Sequence, residues 1–299
     1  MAVTASPSFP AEAIPKRRNP VVAFMAAQPL GFVAFLIILM YFVFALGAYW
    51  IAPYDPEAVD FSAMLGAPSG EHFFGTDQYG RDVFSRLVYG ARTALAVGIL
   101  SAIAGCTLGA VVGATSGYFG GRLDTFIQRI VDVMLSFPII VLAMVVVAVL
   151  GRNAVFGVDL NLIAAIALPM VPKMARIARS STLSIAQMPF IDAARAAGYS
   201  HPRIILRHIL PNIVAPYLIM LTAFIAQAIL LEASLSFLGL GVTEPTPAWG
   251  LMLTGTSADF YKAAPWMIMF PGLAITLAVF AFNLFGDSLR DWLDPKMKT

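Results

Sequence analysis

The chain has 299 residues, 59% of them hydrophobic and only 12% charged, with a net charge of +2. An average soluble domain carries roughly 25% charged residues, so the composition excludes an ordinary soluble globule, and so small a net charge gives no case for nucleic-acid binding. The single cysteine, Cys106, lies inside an apolar stretch and cannot build a disulfide framework or a thiolate metal centre alone.

The apolar residues come in blocks about as long as the roughly 20 residues that cross a bilayer. Lys16, Arg17 and Arg18 precede the first block, Leu30 to Ile51, which exceeds the apolar core of a signal peptide and ends at Pro53 without a small-residue cleavage site. It reads as a retained span. Further blocks run near Thr93 to Tyr118, Val133 to Leu150, Ala154 to Val171, Ile213 to Leu231 and Ala263 to Phe285. The fourth is interrupted by Asp159 and crowded at its end by Pro169 and Pro172. The expected fold is all-α, a polytopic membrane helix bundle of about six transmembrane helices.

Basic residues near span ends favour the cytoplasm. Lys16, Arg17 and Arg18 therefore place the N-terminus inside, and Lys173, Arg176, Arg179, Arg195, Arg203 and Arg207, set against Asp192, mark the segment between blocks four and five as cytoplasmic. The loop from Ala52 to Arg92, where acids outnumber arginines, falls outside, and Lys296 and Lys298 return to the cytoplasm.

Within the second block a small residue recurs every fourth position: Ser101, Gly105, Gly109, Gly113 and Gly117. All five share one helix face, where missing side chains let another helix approach closely in a medium that supplies no hydrophobic drive for association. This helix is expected to be buried in the bundle.

The long cytoplasmic segment is the most informative. From Asp192 it runs Asp-Ala-Ala-Arg-Ala-Ala-Gly-Tyr-Ser-His-Pro and on to Asn212. An alanine-rich helix stops at Gly198, and a second short helix opens at Pro202 and closes before Pro211. A mere connection would be shorter. Two readings stand: a lever whose small alanines seat in a partner's groove, and a basic amphipathic helix resting on anionic lipid.

The pattern Asp192-Ala193-Ala194, then Gly198, then His208-Ile209-Leu210-Pro211-Asn212, resembles the cytoplasmic signature of ABC importer permeases, with Asp where Glu is more usual. Phe74-Gly75-Thr76-Asp77 with Gly80-Arg81-Asp82, Asp132 with Ser136-Phe137-Pro138, and Glu232-Ala233-Ser234-Leu235-Ser236-Phe237-Leu238-Gly239-Leu240-Gly241 with Pro245, Trp249 and Gly250 resemble the dipeptide and oligopeptide (also nickel) permease group, in particular its second permease type.

That resemblance implies a division of the chain. Residues 1–28 form a cytoplasmic tail, 29–291 a transmembrane permease domain with an outer loop at 52–92 and a cytoplasmic coupling segment at 185–212, and 292–299 a second cytoplasmic tail. It further implies a bacterial inner-membrane location, a second homologous permease, two ATP-binding subunits and an extracytoplasmic substrate-binding protein. The coupling helix would comprise Asp192, Ala193, Ala194, Arg195, Ala196, Ala197, Gly198, Tyr199, Ser200 and His201. Peptides are the cargo the resemblance implies first, with nickel chelates, glutathione or oligosaccharides as alternatives.

Individual residues leave choices open. Glu232, with Ser234 and Ser236, is a candidate for the pathway or outer gate, since an acid at membrane depth is functional by default; Glu232 could equally be structural. Asp132, three residues after Arg129 on one helix face, reads as half of a local ion pair. Lys173, Arg176 and Arg179 either set topology or contact an ATPase. Asp77, Arg81, Asp82 and Arg86 lie in a stretch that either receives the binding protein or braces the second span; Trp249 and Trp266 read as outer interfacial anchors, with Trp249 also an outer contact candidate.

No glycine-rich loop ending in Lys-Ser or Lys-Thr is present, and His72, His201 and His208 show no metal-ligand spacing. The chain is therefore expected to be non-catalytic, to bind neither metal nor cofactor, and to leave ATP and Mg to partner subunits. Two other classes compete: an ion-coupled carrier, which would show internal repeats and several embedded acids, and an intramembrane hydrolase using Ser234 or Ser236, which lacks an activating histidine at membrane depth.

Overall fold

The computed structural model describes residues 25, 27–151, 153–155, 158–254, 260 and 262–293; Lys16, Arg17, Arg18, Lys296 and Lys298 lie outside them. The described residues form a helical bundle with one short strand pair. Among the described residues five helical runs are long and apolar enough to cross a membrane, and a bent helix pair, counted as one span, would make six.

Helix α1 spans Pro29–Ile51 and stops where Ala52 turns extended, the conformation a following proline enforces. Helix α2, Val83–Phe119, is 37 residues long and starts ten residues before the apolar block. Asp82 caps it by accepting from the Ser85 amide, and Gly120, at φ +62°, ends it. At 1.5 Å per residue α2 is ~55 Å long, well beyond a hydrocarbon core of ~30 Å.

The third expected block is not a straight span. Helices α3, Gly121–Ser136, and α4, Ile139–Leu150, meet at 97° across Phe137 and Pro138. Pro138 lacks an amide hydrogen and forces Phe137 to a ψ of 139°, so the helix cannot run through. The fourth block is also displaced. Two short strands, β1 (Ala154–Val155) and β2 (Val158–Asp159), pair antiparallel where helix was expected. Asp159 then caps helix α5, Leu160–Ala167, by accepting from the amides of Asn161 and Leu162. The residue that looked like an interruption is a start signal. A 3-10 turn at Leu168–Met170 takes up Pro169, and helix α6, Val171–Ile185, carries the span onward with the basic residues Lys173, Arg176 and Arg179 on it.

Beyond it lie α7, Pro189–Ala196, and α8, His201–Ile204, joined at a bend. The second short helix does not close before Pro211. It passes through a π-helical segment, Ile205–Ile209, and a 3-10 turn, Leu210–Ile213, into α9, Val214–Phe237. The irregular segments set Pro211 in the opening turn of the 3-10 stretch, where a missing amide hydrogen breaks no bond. Helix α10, Trp266–Leu293, completes the bundle.

Helix α2 is the axis of the fold, with α6, α9, α1 and α5 packed around it. The small-residue stripe is buried along its whole length, as expected. A Cβ on Gly105 would stand 2.8 Å from the Ala167 carbonyl oxygen, and one on Gly109 2.6 Å from both the Val171 carbonyl oxygen and the Met174 Cβ. At Gly113 the backbone of Ala175 already occupies the space, and at Gly117 the Arg179 carbonyl oxygen lies 2.9 Å away. The outward faces carry large apolar side chains such as Leu46, Val149 and Phe280, suited to lipid tails as apolar as leucine. Cys106 is fully buried.

Gly109→Val should therefore force α2 and α6 apart and lower stability by about 1–3 kcal/mol or more, whereas Gly272→Ala, which meets nothing within 4 Å, should be neutral or stabilise α10 by up to about 1 kcal/mol. Thermal unfolding of the two variants in detergent measures the contrast; equal effects would contradict the backbone contact.

Candidate functional site

Two regions hold the chemistry-bearing side chains, one at each end of α2. At the Tyr118 end stands the bend between α7 and α8. Gly198 makes it, at φ +74°, with its amide donating to the Arg195 carbonyl and the Tyr199 amide donating to that of Ala194. This is a glycine-dependent helix C-cap; nothing lies within 4 Å of a Cβ there, so a larger residue would be opposed by backbone strain rather than by a clash. Ile191 and Ala194 face the bundle, fully and nearly fully buried, and Ile204 anchors the second limb. Asp192, Ala193, Arg195, Ala196, Ala197, Gly198, Tyr199, Ser200 and His201 are all exposed. Nine of the ten residues expected to form a docking surface thus share one exposed surface, and Ala194 is the inward member that seats it.

Behind the bend, α3 and α6 are joined by ion pairs. Arg179 donates through Nε and Nη2 to both oxygens of Asp124, which also accepts from the Ser116 hydroxyl of α2. Asp132 pairs with Arg176 of α6 at 2.6 Å, not with Arg129. The spacing allowed a local pair, but α6 runs alongside α3 and offers a guanidinium across the gap. Arg176 and Arg179 therefore have a structural task as well as any topological one.

At the opposite end, the loop before α2 folds back on itself. Thr76 accepts from the Gly66 amide at 2.8 Å and its hydroxyl donates to the Ala63 carbonyl, while Asp77 accepts from the Tyr79 and Arg81 amides. Asp77, Arg81, Asp82 and Arg86 are all buried, none more than 6% exposed. Of the two readings the sequence left open, that placement favours bracing α2 over receiving a binding protein, and Trp249 is placed likewise: at 1% exposed, it donates through Nε1 to the Leu87 carbonyl at 2.9 Å. Trp249 is not an interfacial anchor but the plug between α2 and the loop after α9. Trp266, half-buried, donates to the Thr76 carbonyl.

The residue that organises this end was missed in the sequence. Glu244 accepts from Arg81 Nη1 at 2.6 Å and Nη2 at 3.3 Å, and from Arg86 Nη2 at 3.5 Å. Arg81 also donates through Nε to Asp77 at 2.7 Å, and Arg86 to the carbonyls of Pro56 and Pro245. Burial pulls the Arg81 guanidinium down, but its bonds to Glu244 and Asp77 more than offset this and hold it above its ordinary value. Glu244 lies 163 positions from Arg81 in a proline-bearing loop, and no spacing rule connects them.

Glu232 is buried at 1% exposed and accepts from the Ser236 hydroxyl at 2.7 Å; that hydroxyl in turn accepts from the Val242 amide. These bonds make the pair a brace between α9 and the loop that follows. Ser234 stands apart. It is half-buried, donates to the Leu230 carbonyl, and helps line an open apolar depression of about 450 Å3 with Ile140, Phe237, Leu253 and Ile275.

No group of three or more His, Cys, Asp or Glu side chains among the described residues could hold a metal ion. Up to six segments long and apolar enough to cross a membrane, with a glycine-made bend displayed at one end, describe a polytopic helical membrane protein among the described residues. The family described as "Binding-protein-dependent transport system inner membrane component" matches residues 105–299. The chain is 48% identical over 272 residues to the glutathione transport system permease protein GsiD of Shigella flexneri serotype 5b (strain 8401), covering 91% of this chain and 88% of that one. It is 46% identical, over the same shares, to the protein of that name from Escherichia coli O6:K15:H31 (strain 536 / UPEC). A solved structure titled for inward facing conformations of the MetNI methionine ABC transporter shares the fold at a TM-score of 0.54 and 18% identity, over 71% of this chain and 97% of that one. The chain belongs to this family of binding-protein-dependent inner-membrane components and is the transmembrane permease subunit of an ABC importer.

Glu244→Gln should leave two buried guanidiniums under-compensated. Because Glu244 is itself 45% exposed, solvent screening discounts the loss to about 1–2 kcal/mol from the 3–5 kcal/mol of a fully buried pair. Thermal unfolding in detergent measures it, and a variant as stable as the wild type would deny the clamp its role.

Proposed function

We propose that this chain forms half of the translocation pathway for a small peptide and couples that movement to ATP hydrolysis by partner subunits docked on the α7–α8 bend. The observation that carries the reading is the bend itself: an exposed, small-residue helix face ending at a left-handed glycine, seated on the bundle by Ile191 and Ala194. The family implies a second permease, ATPase subunits and an extracytoplasmic binding protein in general terms. The distribution of basic residues supports a cytoplasmic bend with both chain ends on the same side, in a bacterial inner membrane.

For cargo, the glutathione permeases it resembles make that tripeptide the first candidate within the wider dipeptide and oligopeptide group. Nickel chelates and oligosaccharides stand behind it. ATP and Mg belong, on this reading, to the partner chains. No observation favours an ion-coupled carrier: the one deeply buried acid of α9, Glu232, is bonded within the chain to Ser236.

Gly198→Val should insert normally yet lose coupling, because a β-branched residue at φ +74° carries strain on the order of 1–3 kcal/mol and shifts the bend. The test is coexpression with a second permease, ATPase subunits and a binding protein that assemble with it, followed by ATP-driven uptake of labelled glutathione and of labelled dipeptides into proteoliposomes. At least a tenfold loss of uptake with normal membrane yield is expected. Full ATP-driven uptake by the variant would remove the bend from the mechanism, and uptake of neither peptide by the wild-type complex would remove the cargo assignment alone.

A further inference from the structure

Both limbs of the bend converge on one side chain that belongs to neither. Tyr118, in the last turn of α2, is buried, and its hydroxyl shares a 2.9 Å hydrogen bond with Nδ1 of His201 on the far limb. From the near limb, the Arg195 guanidinium carbon stands 5.4 Å from the Tyr118 ring centroid, within cation–π range. Phe119 closes the cluster with its ring 5.4 Å from that of His201. Residues on either side of Gly198 are thus held to the same aromatic ring, so the bend cannot tilt without moving Tyr118 or breaking both contacts.

The covalent route from the bend into the bundle is softer. From α8 it passes through the π-helical Ile205–Ile209 and the 3-10 turn Leu210–Ile213 before regular helix resumes. Such segments have poorer hydrogen-bond geometry than α-helix and mark hinges. The lateral route meets a continuous 37-residue rod whose stripe is locked against α6 and whose other end is clamped by Arg86. A displacement entering α2 at Tyr118 reaches the opposite face of the membrane through unbroken helix.

We propose that Tyr118 is a positioning residue that relays movement of the α7–α8 bend into α2 through its bond to His201 and its contact with Arg195. The proposal rests on the docking role given to the bend above. It concerns how motion leaves the bend, not what docks there.

The test uses the complete purified complex, with ATPase subunits and the second permease, carrying nitroxide labels at the outer end of α2 and on the second permease. In the wild type, a non-hydrolysable ATP analogue with Mg should change the label-to-label distance. Tyr118→Phe keeps the ring and removes the hydroxyl. It should retain ATPase subunits at wild-type stoichiometry and basal ATP hydrolysis within about twofold, while the distance change falls by at least half. His201→Gln should produce the same fall, and the double variant no further one, because both remove a single bond.

A full distance change in Tyr118→Phe overturns the relay, as does loss of the ATPase subunits from it, which would mark Tyr118 as merely structural. Should Tyr118→Phe fail to accumulate, His201→Gln decides alone: an unaltered distance change in it overturns the proposal. Gly198→Val separates the two claims. A normal distance change in that variant would sink the docking role itself, whereas loss of the change there with full retention in Tyr118→Phe would sink only the relay.

Discussion

Between Ser101 and Gly117, α2 offers backbone where other helices offer side chains, and the rest of the bundle is arranged around that fact. Lipid tails are as apolar as leucine, so two helices gain little by hiding greasy side chains from them; what holds helices together there is close contact and the dispersion and weak polar interactions it permits. Ala167, Val171, Ala175 and Arg179 bring their carbonyls directly over the stripe. Helices α5 and α6 can follow α2 this closely only because the 3-10 turn at Leu168–Met170 absorbs Pro169 without throwing the chain off line.

Locking the middle of α2 frees its ends for other work. Because the rod is much longer than the hydrocarbon core is thick, both ends reach into polar surroundings, and each gathers a different chemistry. The Val83 end is fixed by charge, with buried Arg81, Arg86 and Asp77 pairing with one another and with the half-exposed Glu244 of a distant loop. The Phe119 end is fixed by aromatic contact and the Tyr118–His201 hydrogen bond to a surface bend, and by the Ser116 hydroxyl on the Asp124–Arg179 pair. A stiff element anchored at both ends, with an exposed bend against one of them, is what the proposed relay requires.

The buried polar residues divide along the same logic. Glu232, Ser236, Arg81 and Arg86 are bonded within the chain and hold loops in place. Ser234, half-buried, instead lines the open apolar depression beside α9.

Much of this was legible in the sequence. The number of spans, the buried stripe and the glycine-made bend follow from local rules: block length against bilayer thickness, a four-residue period, and the left-handed conformation only glycine adopts freely. The break at Phe137–Pro138 and the cap at Asp159 were local signals as well, but hydropathy averaged over a window blurs a sharp stop into the apolar run around it. Asp132 and Arg176, Glu244 and its two arginines, Trp249 and Leu87, and Tyr118 and His201 belong to another category. Their members lie between 44 and 163 positions apart, and each pairing exists because tertiary packing brings distant elements together. Sequence determined which segments cross the membrane and where the chain can bend; only the tertiary structure decided which charges and rings meet, because electrostatic and aromatic contacts depend on separation in space and not along the chain.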